Sequence, residues 1–305
     1  MIKQIKYFLL VLLSILSVAG MRAQNPDMLA AYNFEARKEI DSAKKHIDKA
    51  LTVPALNKDP EYWYLRGFIY KDYFKSREAT NRNSPARMEA MKCFLRSMQL
   101  DTAKKSLKDN KENLKFIASR FYNDAAQALD TNNYQTPIQN FQKFKEIMIQ
   151  IEPNYPIKAK EIEFTLALAT IYTRLYQANW KVRAKYLEMA KSAYTLVLNL
   201  DPNSLSANYN MGILYYNQAV YLIKGSEYDI DIKAMDAIQD NKFLLFHQSL
   251  PLMEKAYELD PKREETLMAL SGIYMGLNDI EKSHKFQEEL DIMKKNQLNQ
   301  PKKEK

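Results

Sequence analysis

The phrase Leu200-Asp201-Pro202-Asn203 returns as Leu259-Asp260-Pro261, and both copies are followed by the same pattern of small and large residues. After the first come Asn208, Met211, Gly212 and Tyr215; after the second come Leu267, Leu270, Ser271 and Tyr274 at identical offsets. Spacings of i, i+3, i+4 and i+7 place these residues on one face of an amphipathic helix. The Asp-Pro step stops the helix before it, because proline lacks an amide hydrogen and clashes with the preceding turn. Weaker copies stand at Ile151-Glu152-Pro153 and Leu100-Asp101-Thr102. A chain that repeats a helix–stop–helix phrase is confined to architectures in which like units stack.

An all-α fold follows from what surrounds the phrase. The chain has only 6 glycines and many Lys, Glu, Ala, Leu and Tyr residues, which favour helix throughout. No stretch alternates at period two for long enough to make a strand. Its 305 residues would ordinarily suggest two domains. A stacked array escapes that limit, since each repeat buries its apolar face on its neighbours.

Residues 1–23 read as a cleaved secretory signal rather than as part of the fold. Lys3 and Lys6 precede an uncharged run from Tyr7 to Met21, too short for a comfortable membrane span. Ala23-Gln24 is the expected cut, with Gly20-Met21 the alternative and a retained N-terminal anchor the competing reading. The mature chain is then expected in the periplasm or cell envelope with no membrane span. The one cysteine, Cys93, is far from the cut, so no lipid attachment residue and no internal disulfide are expected; it reads as a small core residue. Of the formal charge of +8, Lys3, Lys6 and Arg22 lie in the leader, and Lys294, Lys295, Lys302, Lys303 and Lys305 lie near the C-terminus. That distribution describes a solvated basic tail, not a nucleic-acid surface.

The repeated phrase resembles the tetratricopeptide repeat, a pair of helices A and B over about 34 residues. In that family small residues at the eighth, twentieth and twenty-seventh positions let helices approach, and large ones at the fourth, eleventh and twenty-fourth fill the gaps. The resemblance implies a right-handed superhelical solenoid of about six pairs, spanning residues 24–295. The repeats run at 24–57, 60–103, 105–152, 156–204, 205–263 and 264–295, followed by a disordered basic tail, 296–305. Repeat two carries Trp63, Gly67 and Tyr70, then Ala90, Phe94, Ser97 and Leu100. Repeat four carries Thr165, Ala169 and Tyr172, then Ala190, Tyr194 and Val197; repeat five carries Asn208, Gly212 and Tyr215, then Ser249, Met253 and Ala256. Repeat six needs no insertion. Repeats two, four and five exceed the unit by about eleven, nine and twenty-five residues at their hairpins. Aromatics at helical spacing there (Tyr73, Phe74, Tyr176, Trp180, Tyr186, Phe243 and Phe246) predict extended helices, with Glu227 to Asp240 the mobile exception.

Catalytic chemistry is hard to find in this composition. His46, His247 and His284 are scattered, without metal-ligand spacing. His46 and His284 read as exposed, His247 as a core or half-buried residue. Glycine-rich phosphate loops and serine nucleophile elbows are absent from the sequence. Asp229-Ile230-Asp231, with Glu227 and Asp236, lacks the glycine of a calcium loop and has Lys233 at a ligand position. No enzyme activity, metal or cofactor is expected.

What remains is surface. The resemblance implies a concave groove, lined by the A helices, that holds a peptide. Its positions fall on Tyr64, Phe68 and Lys71 in repeat two, on Tyr122, Asn123 and Ala126 in repeat three, and on Leu166, Thr170 and Arg174 in repeat four. Repeat five supplies Tyr209, Asn210, Ile213, Tyr216 and Asn217, and repeat six Met268 and Met275. Asn123 and Asn210 share the sixth position, where an amide can both donate to and accept from a peptide backbone. The expected function is an exported, non-enzymatic scaffold for a protein or peptide partner. The alternatives are a structural accessory of an envelope complex acting through its long hairpins, and a glycan-binding variant. No sequence feature fixes an oligomeric state.

Overall fold

The computed structural model describes residues 25–225 and 231–298, and every regular element among them is helical. The expected signal and its cut, the end of the basic tail and residues 227–229 of the acidic loop lie outside the described residues. Twelve α-helices follow one another among the described residues: α1 (Pro26–Ala36), α2 (Ile40–Ala50), α3 (Pro60–Arg77), α4 (Pro85–Leu100), α5 (Leu107–Ala128), α6 (Gln135–Ile151), α7 (Ile157–Ala178), α8 (Ala184–Leu200), α9 (Leu205–Gly225), α10 (Ile232–Leu259), α11 (Glu264–Gly276) and α12 (Ile280–Leu298). A short 3₁₀ turn, Pro54–Lys58, precedes α3.

Four copies of the sequence phrase make one and the same turn. The amide of Asp101, Glu152, Asp201 or Asp260 donates to the carbonyl four residues back, closing the helix before it. The carbonyl of that same residue then accepts from the amide three residues on, at Lys104, Tyr155, Ser204 or Arg263. Side chains tighten it: Asp201 Oδ1 accepts from the Asn203 amide (3.1 Å) and Asp260 Oδ1 from the Lys262 amide (3.2 Å). Helix starts are fixed as the sequence suggests. Asn25, Asp59 and Ser84 each cap a helix whose first position is proline, where the missing amide hydrogen costs nothing.

The helices pack as antiparallel pairs, α1 on α2, α3 on α4, α7 on α8, α9 on α10 and α11 on α12; Tyr122 of α5 meets Phe141 and Phe144 of α6. The small-residue positions are where paired helices touch. A Cβ on Gly67 would lie 2.9 Å from the Phe94 ring, and one on Gly212 3.0 Å from the Met253 side chain. The twentieth position reaches the backbone of the eighth in the same way in repeats five and six. Ser249 Oγ donates to Gly212 O (2.7 Å), and Ser283 Oγ donates to Ser271 O (2.9 Å).

The chain divides into two compact units, an N-terminal one of residues 1–127 and 136–155 and a C-terminal one of residues 128–135 and 156–305. In the N-terminal unit two buried arginines tie successive helices. Arg66 bonds Asp48 and Glu89, and Arg87 pairs with Asp124 while lying 4.1 Å from the Phe121 ring centre. In the C-terminal unit α9 contacts both α7 and α11, so its A helices stack side by side. The long hairpins are extra helical turns, with Phe74, Tyr176 and Phe246 buried in them.

Three expectations are corrected. Residues 232–240 are helical rather than mobile, because the Asp231 carboxylate accepts from the Ala234 amide (2.7 Å) and starts α10 there. His247 is exposed rather than core or half-buried, since α10 turns Phe246 inward instead. The last helix runs on to Leu298, past residue 295.

Candidate functional site

In the N-terminal unit, Tyr64, Phe68 and Lys71 come together on α3. Tyr64 packs on Phe94 and Phe68. Lys71 is buried; its Nζ donates to Asn113 Oδ1 of α5 (2.7 Å) and sits 3.8 Å from the Phe68 ring centre. Burial pushes its ammonium below the usual lysine range, partly countered by Asp72. This cluster is closed on itself, and Asn113, which links it to α5, was not visible to the repeat pattern. Tyr122 turns toward the α6 phenylalanines, leaving Asn123 and Ala126 exposed beside it.

In the C-terminal unit the candidates split into two sets. Tyr209, Ile213 and Tyr216 pack on the core around α11. The Arg263 guanidinium lies 3.7 Å from the Tyr209 ring centre, and Tyr216 lies over Gly272 and against Phe246 (5.7 Å). On either side of Gly272, Met268 and Met275 stand open on α11, 54% and 49% exposed, and Asn217 is half-buried. The second set faces α8. Burial raises the Tyr194 phenol, while hydrogen bonds from Thr173, Thr170 and Asn210 work the other way. Thr170 also donates to Leu166 O (3.0 Å), and Leu166 packs on the core.

Arg174 joins neither set. It lines an open cleft of about 700 Å³ together with residues 131–135, Leu175, Ala178, Arg183, Lys185 and Tyr186. Tyr134 meets Tyr172 and Tyr186 edge-on, at 5.3 and 6.2 Å between ring centres. Hydrogen bonding from Tyr134, helped by Lys185 and Arg183, holds the Tyr186 phenol below its usual range against the opposing effect of burial. Arg174, Leu175 and Ala178 come from the end of α7, and the other residues from the two hairpins and the helix starts beside them.

Among the described residues no three His, Cys, Asp or Glu side chains are placed to hold a metal ion. Burial, with Glu89 nearby, pushes the Cys93 thiol up to about 12. His46 Nδ1 lies 2.8 Å from Asp27 Oδ1 and its ring stacks on Phe34, so this histidine is half-buried rather than exposed as expected. No helix among the described residues is long and apolar enough to cross a membrane.

No protein-family profile and no curated protein matches this chain. Among solved structures, a monomeric IFIT1 mutant with Gppp-AAAA is similar at 13% identity and a TM-score of 0.31, over 85% of this chain and 58% of that one. PilW, a widely conserved type IV pilus biogenesis factor, is similar at 14% identity and a TM-score of 0.30, over 87% of this chain and 91% of that one. The human IFIT1 dimer with m7Gppp-AAAA gives 16% identity and a TM-score of 0.28, over 92% and 63%. This chain thus spans a little over half the length of the first of them. Likenesses this loose carry no argument about function, and the fold rests on the helix pairs themselves.

Proposed function

We propose that this chain is an exported, non-enzymatic scaffold of the tetratricopeptide kind that binds a protein or peptide partner along the A helices of its C-terminal unit. One observation carries the choice of surface: Met268 and Met275 stand exposed two helical turns apart, on either side of Gly272, over which the half-buried Tyr216 lies. Methionine side chains adapt to differing apolar partners, and tyrosines add rigid contact area with a polar tip. The closed cluster around Lys71 offers no comparable opening.

The hairpin reading has its own support. Ile232 and Met235 are exposed on the first turn of α10, a small apolar edge suited to packing in a larger envelope complex. A pull-down from cell-envelope extract separates the two. Met268→Glu with Met275→Glu should abolish recovery of the partner, while Ile232→Glu with Met235→Glu should leave it intact. The reverse pattern would replace the groove by the hairpin.

A further inference from the structure

The cleft around Arg174 is set apart from the methionine face by its charge. Arg174, Arg183 and Lys185 line it, and no Asp or Glu side chain does. Arg174 and Lys185 are exposed, and neither makes an ion pair among the described residues. The nearest acid in sequence, Asp130, is folded onto its own loop, where Oδ1 accepts from the amides of Asn132 (2.7 Å) and Asn133 (2.8 Å). Helix α8 also begins here: Arg183 at its N-cap makes no side-chain cap and the first turn holds no acid, so the positive end of the helix adds to the side-chain charges.

We propose that this cleft binds an acidic polypeptide segment, its Glu or Asp carboxylates held by Arg174, Arg183 and Lys185. Guanidinium groups suit planar carboxylates because two parallel N–H donors meet two oxygens. The carboxamides of Asn132, Asn133 and Gln135 each donate and accept, which matches a peptide backbone. A sugar is a poorer fit, since Tyr186 stacks with Tyr172 and carries the Lys185 ammonium 4.9 Å from its ring centre. The site stands independently of the methionine face on α11.

The test titrates the full chain with fluorescent hexaglutamate, using hexaglutamine as the neutral control. Hexaglutamate should bind saturably and more weakly as salt rises, and hexaglutamine should not bind. Arg174→Glu and Lys185→Glu should each weaken binding about tenfold or more. Both residues are exposed, so circular dichroism should show unchanged helix. Met268→Glu should stay within about twofold of wild type, because rim charge and not apolar area drives this contact. Three results overturn the proposal: equal binding of the two peptides, indifference to both charge reversals, or binding of inorganic phosphate or phosphatidylglycerol vesicles in place of hexaglutamate. Loss of partner recovery in the Met268→Glu, Met275→Glu pull-down bears on the methionine face alone.

Discussion

Gly67 and Gly212 hold the same position in their repeats, yet their neighbours differ in how far they can yield. The added Cβ of Gly67→Ala meets the fully buried Phe94 ring at 2.9 Å, whereas that of Gly212→Ala meets the flexible Met253 thioether at 3.0 Å. Alanine gains about 1 kcal/mol of helix propensity at either site, and overpacking costs about 1–3 kcal/mol where neighbours are rigid. Gly67→Ala should therefore lower the midpoint of denaturant unfolding, and Gly212→Ala should leave it nearly unchanged. Asp48 makes a second test. Burial works to raise its pKa, but hydrogen bonds from Tyr70 and Lys44 and the charge of Arg66 bring it below the usual 3.8 overall. A depressed carboxylate stabilises the fold above its unfolded value and loses that contribution as pH falls through the folded value. Thermal melts should therefore show stability falling away below about pH 3.8, and Asp48→Asn should flatten that dependence.

The helices and their turns were the most legible level. Four copies of one phrase gave four copies of one turn, because in three of them the proline after the acidic residue keeps the helix from continuing. The start of α10 was missed: Asp231 looked like part of an acidic loop, and nothing local marked it as a cap. Asp231→Ala should destabilise the first turns of α10 by about 0.5–2 kcal/mol, seen as faster amide exchange at residues 234–238 with residues 249–256 unaffected. Candidate site residues were legible unevenly. The pattern named Arg174 and the two methionines, which lie exposed, but it could not see that Tyr122 faces two phenylalanines. It also passed over Tyr134, Arg183 and Lys185, which only the folding of two hairpins brings to one cleft.

At the scale of the whole molecule, a repeat period describes nearest neighbours and says nothing of where contacts thin out. The sequence therefore read as one uninterrupted array, while the contacts divide into two units. Export belongs to this scale too. Intact-mass measurement of protein from the native envelope should give a chain starting at or near Gln24 without lipid, and a mass that includes residues 1–23 would refute secretion with cleavage. The division has a further consequence, because the chain visits the C-terminal unit at residues 128–135 before returning to finish the N-terminal one. Leu129 and Tyr134 from that visit pack on the core of α7 and α8. A single crossover after residue 155 would thus hand a descendant gene the second unit without its Tyr134 wall. Shuffling these units as cassettes needs two coordinated breakpoints, so in evolution they should travel together far more often than apart.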